Sequence, residues 1–182
     1  MLRFSRLHDA PLTPAQRVTA IRLRLTFDER VKHRLATMSV DGLAVAIVLA
    51  DAKRGSVLRD GTVLTGEEGA FAIVEAAPQP VARVSADTPL TLLRATYHLA
   101  NRHVPAQLAL DAVVIERDPV LEAMLRGIGA RIEHAEAPFD PEGGAYEGGH
   151  LHHGHGRDGI DVVSATVGEQ LSIAAHARGS GR

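Results

Sequence analysis

The residues of this chain best suited to chemistry are its histidines. Four of the ten, His150, His152, His153 and His155, crowd into six positions, spaced by Leu151 and Gly154. A fifth, His103, stands in the run Tyr97-His98-Leu99-Ala100-Asn101-Arg102-His103-Val104-Pro105. Imidazole nitrogens are borderline-soft ligands suited to nickel, copper and zinc, and with no cysteine in the chain histidine is the only good soft ligand on offer. Transition-metal handling is the chemistry these residues point to. No Ser/His/Asp constellation, Walker loop or dinucleotide fingerprint occurs. The run at 150–155 loosely matches the His-x-His-x-Asp-His of binuclear metallohydrolases, but Gly154 stands where the metal-binding aspartate belongs. No enzyme is expected.

Each histidine also has a plainer reading. On the residues alone, His103 just past a helix could serve only to meet the last carbonyls and the helix dipole. The run at 150–155 could be a solvated segment, although an expression tag is usually uninterrupted and terminal, and this run is internal and glycine-spaced. A histidine-rich stretch by itself would equally suit a metal store or buffer with no dedicated client.

The elements that must position these residues follow from pattern. The chain has 182 residues, 45% of them hydrophobic, enough for one large domain or two small ones. Twenty basic residues against 22 acidic ones make no field for steering nucleic acid or anionic lipid, and 3% aromatics leave little for base stacking. Arg3, Arg6, His8 and Asp9 interrupt any leader-like core, and the longest apolar run, 43–50, falls short of the ~20 residues a bilayer demands. Neither nucleic acid nor membrane is an expected partner, and the lack of cysteine fits a reducing cytoplasm.

Residues 21–28 alternate with period two, Ile21, Leu23, Leu25 and Phe27 against Arg22, Arg24, Thr26 and Asp28, the pattern of a half-buried strand. Residues 43–49 and 71–74 read as further strands, and Asp60-Gly61 between two short apolar segments reads as a hairpin. No helical period appears before residue 80, so residues 1–77 read as a small all-β domain, with 78–80 a stiff proline linker. Beyond it the period changes. A strand at 81–85 precedes Asp87-Thr88-Pro89, a helix start, with Leu90, Leu93, Tyr97 and Ala100 on one face. Short strands at 106–110 and 112–115 lead to Asp118-Pro119, which opens a second helix closed by Gly127 and Gly129, and 131–135 reads as a last strand. The order βαββαβ over 81–142 is that of a ferredoxin-like domain, making the chain α+β. Residues 143–182 open with glycine interleaved with histidine, a composition that cannot build a core but can wrap a metal. Some apolar residues over 160–177 could form a short helix.

The run from Tyr97 to Pro105, followed by Met124-Leu125-Arg126, by Ala137-Pro138-Phe139-Asp140-Pro141-Glu142-Gly143-Gly144-Ala145-Tyr146 and by the histidine run, resembles the UreE family of urease accessory nickel chaperones. The resemblance is strongest from Val81 to Tyr146. It implies that His103 is the central ligand for Ni(II), one from each protomer of a homodimer, with Zn(II) or Cu(II) as competitors in vitro and His150, His152, His153 and His155 as further ligands. It implies as partners the urease maturation GTPase, UreG, and the urease apoprotein with its other accessory proteins. His98, five residues before His103 and about 140° round a helix, is expected to pack or hydrogen-bond instead. Two departures stand out. Arg117, Asp118 and Pro119 replace the pair of histidines that flank an aspartate in one family variant, so that peripheral site is not expected. Ala100 replaces the usual glycine, which leaves Asn101 to make the chain reversal.

Because residues 143–156 lack core-forming side chains, a chain ending at Gly149 should bind fewer metal ions while the melting temperature of its apo form hardly moves. Calorimetry of both lengths checks this. A fall of many degrees on truncation would make the tail structural.

Overall fold

The computed structural model describes residues 1–50 and 56–143. The first half is built on a six-stranded sheet of order β2-β6-β5-β1-β4-β3, formed by β1 (Leu2–Leu7), β2 (Ile21–Leu25), β3 (Arg34–Met38), β4 (Ala44–Val48), β5 (Val63–Gly66) and β6 (Phe71–Ala76). β1 runs parallel to β4 and β2 parallel to β6, while the other neighbours are antiparallel. Beyond β3 the chain curls back, and Val40 N donates to Arg22 O on β2 at 2.9 Å, bringing the two sheet edges together. The inner face holds Phe4, Leu23, Leu25, Val45, Ile47, Leu64 and Val74, all fully buried.

Two short helices correct the all-β expectation. α1 (Pro14–Thr19) is capped by Thr13, whose hydroxyl accepts from Gln16 N while the Gln16 side chain accepts from Thr13 N. α2 (Phe27–Arg30) starts the same way, with the Glu29 carboxylate accepting from Thr26 N at 2.8 Å. Both carry the Thr-x-x-Gln/Glu capping signature, a start signal too local to show as helical periodicity. The period-two run therefore ends at Leu25, and Phe27 and Asp28 belong to α2. The expected hairpin also moves. Asp60-Gly61 makes a turn into β5 with no strand before it, while β3 and β4 are joined through Gly42 at φ +78°.

The second half is a four-stranded antiparallel sheet of order β10-β7-β9-β8, formed by β7 (Pro78–Ser85), β8 (Gln107–Leu108), β9 (Ala112–Glu116) and β10 (Arg131–Pro138). Residues 78–80 are the start of β7 and not a linker. β9 pairs only from Val81 onward, so Pro78 and Pro80 lie where β10 is the one neighbour, and their missing N–H groups break no second ladder. α3 (Pro89–Ala100) and α4 (Pro119–Ile128) pack on this sheet. Thr88 caps α3 by accepting from Thr91 N, and Asp118 caps α4 by accepting from Val120 N and Leu121 N at 2.8 and 3.0 Å. Gly129, at φ +96°, closes α4 as the sequence suggests. The face of α3 turned to the sheet carries Ala95 and Leu99, with Leu92 partly buried. Leu90, Leu93 and Tyr97, which the sequence places on one helical face, are 56%, 65% and 63% exposed. Among the described residues no helix is long and apolar enough to cross a membrane.

Glu122 on α4 is buried, and its carboxylate accepts from His134 Nε2 on β10 at 2.8 Å, Arg126 at 3.0 Å and Arg117 at 3.4 Å. These partners, the His134 hydrogen bond foremost, hold its pKa below the ordinary carboxylate value against the opposing effect of burial. A depressed carboxylate stabilises the fold above its unfolded pKa, and that contribution disappears as pH falls through the folded value. The partners are 41–51% exposed, so water takes up part of the loss. Glu122→Gln should therefore cost about 1–2 kcal/mol at pH 7, and the gap from wild type should close as pH falls through the carboxylate range, read by urea denaturation across pH.

Candidate metal centre

α3 ends at Ala100, and Asn101 continues in right-handed geometry at φ −64°. The chain reverses two residues later than expected. His103 N donates to Ala100 O at 2.9 Å and Val104 N donates to Leu99 O at 3.2 Å, the paired bonds of a Schellman closure. Leu99 and Val104 pack in the same core cluster, which supplies the hydrophobic contact that accompanies such an end. The left-handed position of this closure usually holds glycine, and here it is His103, at φ +54° the one non-glycine with positive φ among the described residues. Ala100 sits within the helix, where a glycine is not needed.

The consequence is that His103 projects from a closed, packed turn and is exposed. It lies on the wall of a cleft of about 630 Å³, which also takes in Phe27, Val57, Ala106 and Glu142. On its other side a smaller hollow of about 380 Å³ is lined by Arg102, Glu116 and Arg117. His98, one turn back, is half-buried, with its ring edge-on to Tyr97 at 5.6 Å and its carbonyl accepting from Arg102. Arg117 and Asp118 are engaged with Glu122 and the α4 cap, the roles of an ion pair and a helix start.

Among the described residues no three His, Asp or Glu side chains come close enough to hold a metal ion. Alone, His103 offers one ligand. His150, His152, His153 and His155 lie outside the described residues, so the structure does not place them against it.

The N-terminal domain model of the UreE urease accessory proteins matches residues 3–77, and the C-terminal domain model of the same family matches residues 79–161. The chain belongs to the UreE family. The junction between the two UreE matches falls at Pro78, the first residue of β7, and the C-terminal match reaches past the histidine run. The chain is 50% identical over 136 residues to the urease accessory protein UreE of Ralstonia nicotianae, covering 75% of this chain and 63% of that one. It is 46% identical over 152 residues to UreE of Burkholderia lata, covering 84% and 68%, and 45% identical over 157 residues to UreE of Cupriavidus necator, covering 85% and 80%. The matched stretch thus spans about two thirds or less of the first two relatives' length.

Sequence reasoning missed the residues that join this site to the first half. Gln79 is buried, accepts from Phe27 N at 2.7 Å and donates to Glu116 at 2.7 Å. Arg30 is fully buried beneath Asp140. Neither shows in a linear pattern, because each bonds to residues far along the chain.

A histidine held left-handed carries a conformational cost of about 1 kcal/mol that glycine does not. His103→Gly should therefore raise the stability of the apo protein by roughly that amount while removing the imidazole. A lowered melting temperature would show that the side chain itself holds the turn.

Proposed function

We propose that this chain is a nickel metallochaperone, a homodimer that carries Ni(II) as cargo to the urease apoprotein complex by way of the urease maturation GTPase, UreG. It is a carrier and not an enzyme, works in the cytoplasm, and engages neither nucleic acid nor membrane. The relatives are urease accessory proteins, which supports the client. The observation that carries the reading is the placement of His103, an exposed imidazole on a packed helix end.

The exposed apolar face of α3 supports the dimer. Leu90, Leu93 and Tyr97, with Leu108 and Leu110 nearby in the fold, form a surface too apolar for water to be its natural neighbour. A two-fold axis passing close to the C-terminal end of that face would bring the same helix end of each protomer side by side, so that two His103 imidazoles meet one ion. Two ligands are few for a tight site. His150, His152, His153 and His155, carried on a glycine-spaced tail over 143–182, complete it with exchangeable ligands, which suits a protein that must give its cargo up. The strand order β10-β7-β9-β8 supports a ferredoxin-like reading of the metal-binding half, 81–142, and leaves 1–77 as the partner-binding half. Zn(II) and Cu(II) compete for imidazole in vitro, copper most strongly by the Irving-Williams order.

The test is His103→Ala. The variant should lose the one ion shared per dimer, read by nickel titration with mass determination on the same sample, and should fail to support urease activation. Weaker binding to the tail and the dimer itself should both persist, and His98→Ala should change neither quantity. Retention of the tight shared ion and of activation by His103→Ala would leave a metal store as the better account.

A further inference from the structure

The six-stranded sheet turns one face to its core, and alternation along each strand decides what the opposite face carries. Phe4, Val45 and Ile47 are buried in the core, with Leu2 and Leu35 packed against them. Arg3 on β1, Ala44 and Ala46 on β4, and Arg34, Ala36 and Met38 on β3 therefore point outward. The register sets Arg3 beside Ala46 and Ala46 beside Ala36, with Ala44 beside Met38 in the next row. Over β5 and β6 this outer face is covered by the chain around α1, where Leu12 and Ala20 pack with Ile73. Over β1, β4 and β3 it is open among the described residues. Arg3, Arg34, Ala36 and Ala44 are exposed, Met38 is 55% exposed, and the turn joining β3 to β4 adds the half-exposed Val40 and Leu43.

The arginines of this sheet fall into two groups. On β2, Arg22 and Arg24 reach Glu75 of the neighbouring β6 at 2.9 and 3.4 Å. Arg3 and Arg34 have no carboxylate within ion-pair distance among the described residues. They stand two strands across and two residues along from each other, which puts their Cβ atoms about 12 Å apart and lets them meet separate carboxylates. Two cations around a small apolar centre are far fewer than a nucleic-acid backbone or an anionic lipid surface recruits. They do suit a folded protein. Alanines at the centre let another surface come close, the unbranched Met38 adapts to what it meets, and an arginine fork matches a carboxylate.

We propose that the open face of β1, β4 and β3 is the docking surface for an acidic protein partner, whose carboxylates pair with Arg3 and Arg34 and whose apolar side chains cover Met38. This rests on the reading that 1–77 is the partner-binding half, and it names the face and the chemistry. Charge complementarity at such a face steers encounter and is screened by salt, whereas the apolar contact sets how long the complex lasts.

The experiment measures binding of the full chain to the purified urease maturation GTPase, in the presence of nickel, by interferometry at several salt concentrations. Arg3→Glu and Arg34→Glu should each weaken binding about five-fold, and the double variant about 25-fold with a flattened salt dependence. Met38→Ser should speed dissociation and leave the salt dependence as it is. Arg17→Glu, an equal reversal on α1, should bind as the wild type does. All four positions are exposed, so melting temperature and nickel stoichiometry should not move. Equal weakening by Arg17→Glu would mean that net charge and not this face steers the partner, and no weakening by Arg3→Glu or Arg34→Glu would put the contact elsewhere; both overturn the proposal. Tighter binding of the wild type to phosphatidylserine vesicles than to the GTPase, lost in the double variant, would make the face a lipid site and also overturn it. If the wild type does not bind the GTPase at all, the delivery reading fails first and this surface falls with it.

Discussion

A charge buried between the two halves of the chain governs how they meet. Arg30 comes from a helix of four residues, α2, and its guanidinium bonds both to the first half at Leu58 and to the end of the second half at Phe139 and Asp140. Around it, Phe27 and Phe139 stack edge to face at 5.4 Å, and Gln79 ties the start of α2 to Glu116 on β9. Each of these groups is polar or aromatic with directional demands, so they are satisfied together in one arrangement or not at all. The continuity of β7 through Pro78 adds a covalent constraint at the same place. A loose pair of domains joined by a linker has no such junction.

The junction matters for the candidate site because the His103 imidazole stands on one wall of the cleft it creates. Phe27 and Val57 from the first half face Ala106 and His103 from the second across that space. His103 is itself a compromise. A glycine would close α3 with less strain, yet the imidazole stands there, held by two backbone bonds and by the Leu99–Val104 contact beneath it. A side chain on such a turn is placed by backbone geometry, and among the described residues no hydrogen bond engages the ring nitrogens of His103. Strain concentrated at an exposed histidine, with the packing that resists it directly below, is the pattern expected where position is worth more than stability.

α3 serves two surfaces in the same way. Ala95 and Leu99 pay into the core, while Leu90, Leu93 and Tyr97 face outward on the same twelve-residue helix. The outward set lies on the helix whose closing turn carries His103. Surface and site are linked by the rigidity of a single helix.

Much of this was legible in the linear chain. Thr88-Pro89 and Asp118-Pro119 mark helix starts through the hydrogen-bonding reach of a short polar side chain, and Gly129 marks an end through its freedom at positive φ; all three are local effects, and the structure bears them out. The apolar runs at 43–49 and 71–74 are strands for the same reason, observed as Ala44–Val48 and Phe71–Ala76. Histidine spacing and the absence of cysteine point to transition-metal chemistry from the chain alone, since ligand softness belongs to the residue and not to the fold. What only the tertiary structure decided depends on contacts between distant residues. Which apolar face of α3 turns inward, the absorption of 78–80 into β7 and the burial of Arg30 against Asp140 are each settled by a partner far along the chain, and the reversal at His103 in place of Asn101 follows once Leu99 and Val104 enter the core together. Periodicity reports how a segment could be buried; only the packing of the other segments determines which side is.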